Sequence, residues 1–241
     1  MNTHSSPPSL LAVGAHPDDL EFGMGGVLIK QKRAGIQLSL VLTSKGESGS
    51  SGAPDIRVRE ACVAARFLGV EDRLSFLDFG GDGRQRAAVE NTIALAQVMR
   101  ETRPSMVFAP DPSPNQHPDH AVVGAITRDA CRLARYGGIP ELKDTPAHAV
   151  DSLWFYAISP HPDRDLAAAV LVDISDAYED WKALMGCHQT QVSSRKYMDL
   201  QVARARQLGL LAGCEYATAL WPNDPPVVGD IRVLSRTARA F

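Results

Sequence analysis

The sequence predicts an α/β protein in which a mainly parallel sheet is covered on both faces by helices. Short apolar runs alternate with longer helical patterns from Leu10 to Tyr136, which is typical of a parallel sheet with helical crossovers. The apolar share of 44% supports a sizeable core, and no long low-complexity segment divides the 241 residues. We therefore expect a single domain over residues 1–241.

The elements of the first part follow one another in βα units. Strands are predicted at residues 10–13, 37–42, 74–76 and 105–109. The helices that follow them are predicted at residues 23–34, 56–68, 87–102 and from Pro118 or Asp119 to Tyr136. Because strands joined by helical crossovers run parallel, their carboxyl ends should meet at one edge of the sheet.

Beyond Gly137 and Gly138 the regular alternation ends, and we expect an irregular C-terminal extension. Strands are predicted there at residues 153–157 and 169–172, and helices at residues 177–185 and 194–208. The tail, residues 227–234, is predicted to add a late strand to the sheet edge.

Composition argues against several classes of partner. The net charge of −3 includes no basic block, which excludes nucleic acid and anionic membrane surfaces as expected partners. The first nine residues lack the pattern of a signal peptide, and no apolar run reaches the roughly 18 residues of a membrane span. Four scattered cysteines suit a reduced compartment, so we expect a cytoplasmic protein that acts on a small molecule. The apolar C-terminal third could furnish a subunit contact, which leaves a homo-oligomer open.

Two motifs rich in histidine and aspartate follow predicted strands. Residues 16–19 have the sequence HPDD after the first strand, and residues 117–120 have the sequence HPDH after the fourth. Open α/β sheets bind ligands at the carboxyl ends of their strands. Two imidazoles and one carboxylate are a frequent ligand set for catalytic zinc, which keeps one position for water. The sequence therefore predicts a metal site at this edge.

The spacing within the motifs suggests how the roles divide. His16 and Asp19 lie three residues apart on one loop, and His120 is the natural third ligand. Asp18 and Asp19 should point to opposite sides of an extended segment, so only one can easily bind the metal. The other would face the open position, where a general base must be. His117 shares a helical face with His120, and its imidazolium could stabilise an oxyanion.

Plain structural roles are the alternative for these residues. The aspartates of both motifs could be helix N-caps or turn residues, although two such motifs at strand ends weigh against this. Residues 161–163 repeat the tripeptide HPD without a further acid or histidine and are predicted as a turn. His4 and His148 lack acidic neighbours at ligand spacing and are expected outside the site.

The two motifs resemble those of the LmbE/PIG-L family of zinc-dependent N-acetylglucosaminyl deacetylases, which includes diacetylchitobiose deacetylases and deacetylases of the bacillithiol and mycothiol pathways. Further residues that resemble the family's are Glu21, Gly23, Thr43, Gly46, Glu47, Gly49, Arg57, Glu60, Ala64, Leu68, Gly69, Lys182, Ala183, His188 and Gln191. The resemblance implies a Rossmann-like three-layer sandwich, one zinc ion per chain, and hydrolysis of an acetamide on an amino sugar with release of acetate.

Carried over by position, the resemblance also implies residue roles. It assigns the zinc ligands to His16, Asp19 and His120, the general base to Asp18, and an electrophilic or acid histidine to His117. Arg57 is implied to bind a hydroxyl or phosphate of the substrate, with a solvated surface arginine as the alternative. Asp82 could accept hydrogen bonds from sugar hydroxyls or simply form a turn.

Some residues depart from the family or remain ambiguous. Leu20 separates the paired aspartates from Glu21, so we give Glu21 no catalytic role and expect it to cap or pair locally. Asn115 stands where some members have a tyrosine, so a tyrosine-dependent step is not inherited. His188 could line the cleft or satisfy a packing contact.

Three functions remain open at this stage. The first is metal-dependent N-deacetylation of a GlcNAc-type sugar or its conjugate, including an amidase that acts on a sugar-linked thiol conjugate. The second is a non-catalytic sugar or nucleotide binder that uses glycine-rich loops such as the one around Gly23, Gly25 and Gly26, although the standard nucleotide fingerprints are missing. The third, phosphoester hydrolysis, usually requires two metals.

Overall fold

The computed structural model describes residues 8–159, 162–193 and 196–238. Within these residues, seven strands form one sheet in the order β3-β2-β1-β4-β5-β7-β6. They are β1 (Ser9–Gly14), β2 (Gln37–Leu42), β3 (Leu74–Phe76), β4 (Met106–Pro110), β5 (Ser152–Tyr156), β6 (Val170–Asp173) and β7 (Ala217–Pro222). The first five run parallel, whereas β7 is antiparallel to β5 and β6. The predicted, mainly parallel α/β fold is confirmed.

The helices cover both faces of the sheet. They are α1 (Asp19–Arg33), α2 (Pro54–Phe67), α3 (Val89–Thr102), α4 (Pro118–Arg135), α5 (Tyr178–Met185), α6 (Gln189–Val192) and α7 (Tyr197–Ala212). None of the helices among the described residues is long and apolar enough to cross a membrane.

Strand β1 shows why the sheet forms the middle layer. Leu10 and Ala12 belong to the core cluster that includes residues of α1, α2 and α5. Leu11 and Val13 belong to the cluster on the opposite face, which includes residues of α3 and α4. A strand buried on both faces has a continuous apolar sequence, as β1 does, and each large apolar side chain removed from water contributes about 1.5–3 kcal/mol.

The predicted late strand at residues 227–234 is wrong. Ile231–Leu234 forms a short 3-10 helix, and Val227 is 98% exposed. The strand that completes the sheet is instead β7, which the sequence analysis missed. Both neighbours of β7 are strands, and its Ala217, Ala219, Leu220 and Trp221 are buried. The β-branched residues of the tail have no comparable packing surface, and β propensity without burial does not make a strand.

Glycines at the start of α1 allow close helix packing. A Cβ atom at Gly23 would overlap the ring of Tyr156, and one at Gly26 would lie 2.8 Å from Cδ1 of Ile174. Gly25 faces Trp181 at the same distance. The sequence analysis expected these glycines to let a ligand approach the backbone, but in the structure they allow close packing. This packing fixes the end of α1 that carries the first motif.

Candidate active site

The two histidine motifs meet at the carboxyl edge of the sheet. Strands β1 and β4 are paired neighbours, so the segments that follow them leave the sheet side by side. The ring centroids of His16, His117 and His120 lie between 5.0 and 5.3 Å from one another. His16 and His120 are buried, whereas His117 is exposed at the rim.

Asp19 is a buried carboxylate between two imidazoles. Its Oδ2 accepts hydrogen bonds from the backbone N–H groups of Ala15 and His16, each at 2.8 Å, and lies 3.5 Å from Nδ1 of His16. Its Oδ1 lies 3.1 Å from Nε2 of His120. Burial alone would raise the pKa of Asp19, but the imidazoles of His120 and His16 outweigh it and hold that pKa well below the ordinary value. Asp19 is therefore ionised.

Asp18 lies in a strained turn, and its pKa is shifted in the opposite direction from that of Asp19. Its φ of 118° lies in a region that residues other than glycine rarely adopt, at a cost of about 1–3 kcal/mol. Burial and the adjacent Asp19 charge raise the pKa of Asp18 to about 7, against the opposing effect of Arg57. A carboxyl group that titrates near neutral pH can accept and return a proton.

The loop after β3 closes on the first motif. Nε2 of His16 lies 3.1 Å from Oδ1 of Asp82 and 3.0 Å from Oδ2 of Asp119. Asp119 Oδ2 also accepts a hydrogen bond from the Gly83 N–H at 2.6 Å. Burial lowers the pKa of His16, but Asp19 and the other two carboxylates raise it well above the ordinary value. Asp82 therefore lies beside the first motif, where it contacts a histidine of the chain, and its contact with sugar hydroxyls stays a prediction.

Asp119 is a site residue that sequence reasoning missed. It was considered only as a helix N-cap or a turn residue, but the N-cap of α4 is His117, whose Nδ1 accepts a hydrogen bond from the Asp119 N–H at 3.2 Å. The position of Asp119 directly before His120 was the sequence signal that could have indicated its place in the site. Burial, together with His16 and His120, lowers the pKa of His117, which favours a neutral imidazole over the predicted imidazolium.

The donor set fits a divalent metal ion. Among the described residues, two groups have ligand atoms within 4.8 Å of one another, namely His16 with His117 and His120, and His16 with Asp82 and Asp119. Neither group contains Asp19, which contacts His16 and His120 through different oxygens. Nδ1 of His120 is buried and has no hydrogen-bond partner in the described part of the chain. Imidazoles mixed with carboxylates suit zinc and similar ions.

Arg57 is buried beside the first motif. It is 5% exposed, so the alternative of a solvated surface arginine is wrong. Its Nη2 donates a hydrogen bond to the Pro17 carbonyl at 2.9 Å, and its Nη1 donates one to the Gly46 carbonyl at 3.2 Å. The guanidinium also lies 3.5 Å from Oδ2 of Asp18 and 3.7 Å from Oδ2 of Asp82.

Glu21 and His188 form a buried pair, so the partner of Glu21 comes from a distant part of the chain and not from the local cap or pair expected for it. Nε2 of His188 lies 3.2 Å from Oε2 of Glu21, and Trp181 donates a hydrogen bond to the Glu21 carbonyl. Burial lowers the pKa of His188, but the Glu21 carboxylate outweighs it, and the net pKa is raised. His188 is fully buried and thus has a packing role.

His148 lies outside this group. Nε2 of His148 lies 2.7 Å from the carbonyl of Pro104, away from the two motifs. His4 and His161 lie outside the described residues, so the predicted turn at residues 161–163 stays a prediction.

Comparison with known proteins identifies the family. The family model described as PIG-L, GlcNAc-PI de-N-acetylase, matches residues 11–131. The chain belongs to the PIG-L family. The matched half contains both histidine motifs, and the description of the PIG-L family places the chain among enzymes that act on amide bonds.

Individual relatives of this PIG-L protein share its fold. Diacetylchitobiose deacetylase from Thermococcus kodakarensis is 28% identical over 197 residues, which are 76% of this chain and 69% of that protein. The conserved protein TT1542 from Thermus thermophilus is 33% identical, with a TM-score of 0.81 over 91% of this chain and 96% of its own. GalB, the 4-carboxy-2-hydroxymuconate hydratase from Pseudomonas putida, has the same TM-score at 23% identity, over 92% of this chain and 99% of its own. Because that fold also carries a protein named as a hydratase, the reaction must be argued from the site.

Proposed function

We propose that this PIG-L protein is a zinc-dependent hydrolase that removes the acetyl group from the nitrogen of a GlcNAc-type amino sugar or its conjugate. The observation that carries this proposal is the pair of adjacent carboxyl groups, Asp18 and Asp19. Asp19 is ionised between two imidazoles, whereas the pKa of Asp18 is raised to about 7. The similarity to a diacetylchitobiose deacetylase supports the amino-sugar class. We also propose that residues 1–241 form a single domain, since both core clusters pack on the same sheet.

His16, Asp19 and His120 would hold one zinc ion per chain. When bound, zinc supplies Lewis acidity, which polarises a carbonyl oxygen and lowers the pKa of water. The carboxylates of Asp82 and Asp119 accept hydrogen bonds from the His16 ring and orient it. An oriented imidazole keeps one tautomer and one direction for its lone pair.

Asp18 would act as the general base. It accepts a proton from the attacking water and passes that proton to the nitrogen of the departing amine, so that one carboxyl group serves both transfers. His117 would act on the carbonyl oxygen. Because its Nδ1 accepts a hydrogen bond from the Asp119 N–H, a neutral His117 carries its proton on Nε2 and can donate it to the oxygen as negative charge develops.

The glycine-rich loops lend no support to a nucleotide binder. Side chains of Tyr156, Trp181 and Ile174 fill the space beside the glycines of α1. The side chain of Arg57 fills the space beside Gly46 and Gly49. Neither loop therefore offers an open backbone cradle for phosphate.

Substitution of the two aspartates tests the proposal. Asp18→Asn should retain zinc and lose at least about 10²-fold in kcat, because its amide cannot accept the proton. Asp19→Ala should lose zinc itself. Acetate release from N-acetylglucosamine, its oligomers and its inositol and malate conjugates measures turnover, and metal analysis measures zinc.

Asp55→Asn is the matched control, since that carboxylate is exposed on α2 and pairs with Arg59. It should leave both quantities unchanged. Full activity in Asp18→Asn would remove the proposed base, and zinc retention in Asp19→Ala would remove the proposed ligand.

A further inference from the structure

A cavity outside the two histidine motifs lies between the loop after β3 and helix α3. Its volume is about 650 Å³, which falls in the range of small-molecule sites. The residues that line it are Phe79, Gly80, Arg84, Arg86, Ala88 and Asn91. Phe79 is buried, whereas both arginines are exposed. The cavity therefore combines an aromatic wall with two guanidinium groups.

The two guanidinium groups have no partner in the fold. Within the part of the chain that the structure describes, neither Arg84 nor Arg86 has a side-chain hydrogen bond or an ion pair. Other exposed arginines, such as Arg59 and Arg66, are paired with carboxylates. No residue of the lining is acidic. Two unpaired cations at one cavity create a local positive potential, which attracts anions.

The carboxylates nearest in sequence do not neutralise the cavity. Oδ1 of Asp78 accepts a hydrogen bond from the Gly80 N–H at 2.9 Å. Asp82 contacts His16 of the first motif. Glu90, in the first turn of α3, is not part of the lining. The donors of both arginines are thus available to a ligand.

The loop holds the arginines on an anchored backbone. The Gly83 N–H donates a hydrogen bond to Oδ2 of Asp119 at 2.6 Å. The buried side chain of Gln85, which the two arginines flank in sequence, donates one to the Ala15 carbonyl at 3.1 Å. An anchored backbone lowers the entropic cost of binding, because only the side chains must become ordered.

We propose that this cavity binds the phosphate group of a small molecule through Arg84 and Arg86. Guanidinium groups bind phosphate with pairs of parallel hydrogen bonds, and two of them match a dianion better than a singly charged carboxylate. Asn91 adds an acceptor for a hydroxyl, because its Nδ2 donates to the Arg86 carbonyl at 3.0 Å and its Oδ1 is left for a ligand. The site takes a sugar phosphate or free phosphate. The first of these sources rests on the proposed function, whereas the site itself does not.

Calorimetry of the zinc-loaded protein tests the site with inorganic phosphate, glucosamine and glucosamine 6-phosphate. The double variant Arg84→Gln/Arg86→Gln should raise the Kd of both phosphates by about 10-fold or more, because it removes the charge-assisted hydrogen bonds. The Kd of glucosamine, which carries no oxyanion, should change less than about 2-fold. Phosphate that binds the zinc ion would keep its Kd in the variant, and that result would overturn the proposal.

The double variant Arg59→Gln/Arg66→Gln is the matched control. It removes the same net charge from two exposed arginines of α2, so all three Kd values should stay within about 2-fold. An equal rise of the phosphate Kd in both double variants would reflect net charge alone and would also overturn the proposal.

The two phosphate affinities identify the source of the group. A Kd for glucosamine 6-phosphate at least about 10-fold below that of inorganic phosphate assigns the site to a sugar phosphate, and equal values assign it to free phosphate. If the protein releases no acetate from any amino sugar, the proposed function fails, whereas phosphate binding still tests the cavity.

A crystal structure with glucosamine 6-phosphate provides an independent test. Phosphate oxygens should lie about 3 Å from nitrogens of both guanidinium groups. A phosphate bound elsewhere, with the cavity empty, would overturn the proposal.

Discussion

The pKa values of the adjacent residues Asp18 and Asp19 are shifted in opposite directions by their surroundings. Asp19 faces two imidazoles and two backbone N–H groups, whereas Asp18 is turned to Arg57 by a strained backbone. The sequence analysis expected such a division from the alternation of side chains along an extended segment, but these residues are not extended, because Asp18 has a φ of 118° and Asp19 begins α1. The strain was not predictable, because a positive φ at a residue other than glycine depends on tertiary contacts. The same holds for Asp82 and Asp119, whose approach to His16 depends on how two loops fold.

The Glu21–His188 pair should stabilise the fold in a pH-dependent way. The pKa of His188 in the folded state lies above the ordinary 6.5, so the folded state binds the proton more tightly than the unfolded state. The stability gained is fully present below about pH 6.5 and is lost as pH rises through the folded-state pKa. A double-mutant cycle of Glu21→Gln and His188→Gln, measured by urea unfolding, should give a coupling of about 0.5–3 kcal/mol at low pH.

The coupling should shrink at about pH 9, where histidine is normally neutral. Each single variant serves as the control for the other, since either one alone removes the ion pair. A coupling that grows with pH would contradict the assignment of a protonated His188.

The bounds of an element were predictable where the apolar pattern of its own residues marks both ends. The predicted bounds of β2 and β3 match the structure, because apolar runs between turn residues mark both ends. Helix α1 begins at Asp19, earlier than predicted, because its glycines pack within the helix and do not open it. Strand β7 was missed because its strand character comes from pairing on both sides with strands distant in sequence.

The close packing of α1 gives a prediction for its glycines. Gly23→Ala places a methyl group against the ring of Tyr156, whose hydroxyl donates a hydrogen bond to the Val13 carbonyl at the end of β1. Overpacking of this kind should lower the free energy of unfolding by about 1–3 kcal/mol. Urea unfolding measures the change, with Gly137→Ala as a control expected within about 0.5 kcal/mol. Equal stability of the two variants would show that α1 can shift freely.

The molecule as a whole gathers carboxylates at one edge of its sheet. Asp18, Asp19, Asp82 and Asp119 come from the segments that follow β1, β3 and β4, and they lie around the imidazoles of the two motifs. The sequence predicted this edge because parallel strands place their carboxyl ends on the same rim, and in the structure β1 and β4 are paired neighbours. A divalent cation would connect loops that the chain otherwise joins through Arg57 and hydrogen bonds.

Zinc should therefore stabilise the whole fold. An ion that binds the folded state at about 100 times its Kd adds about 2.7 kcal/mol to the free energy of unfolding. We expect the thermal midpoint to fall on treatment with a chelator and to recover when zinc is added back, and Asp19→Ala should show neither change. A midpoint indifferent to zinc would favour the non-catalytic binder.

The place of β7 in the sheet has a consequence for synthesis. Among the described strands, β6 pairs only with β7, yet it leaves the ribosome first. A nascent chain stalled before Ala217 already contains every loop of the catalytic edge, but β6 cannot join the sheet and β5 keeps an open edge, which can pair with other chains. The last strand to emerge therefore closes the sheet, and newly made molecules are most prone to aggregate just before it does.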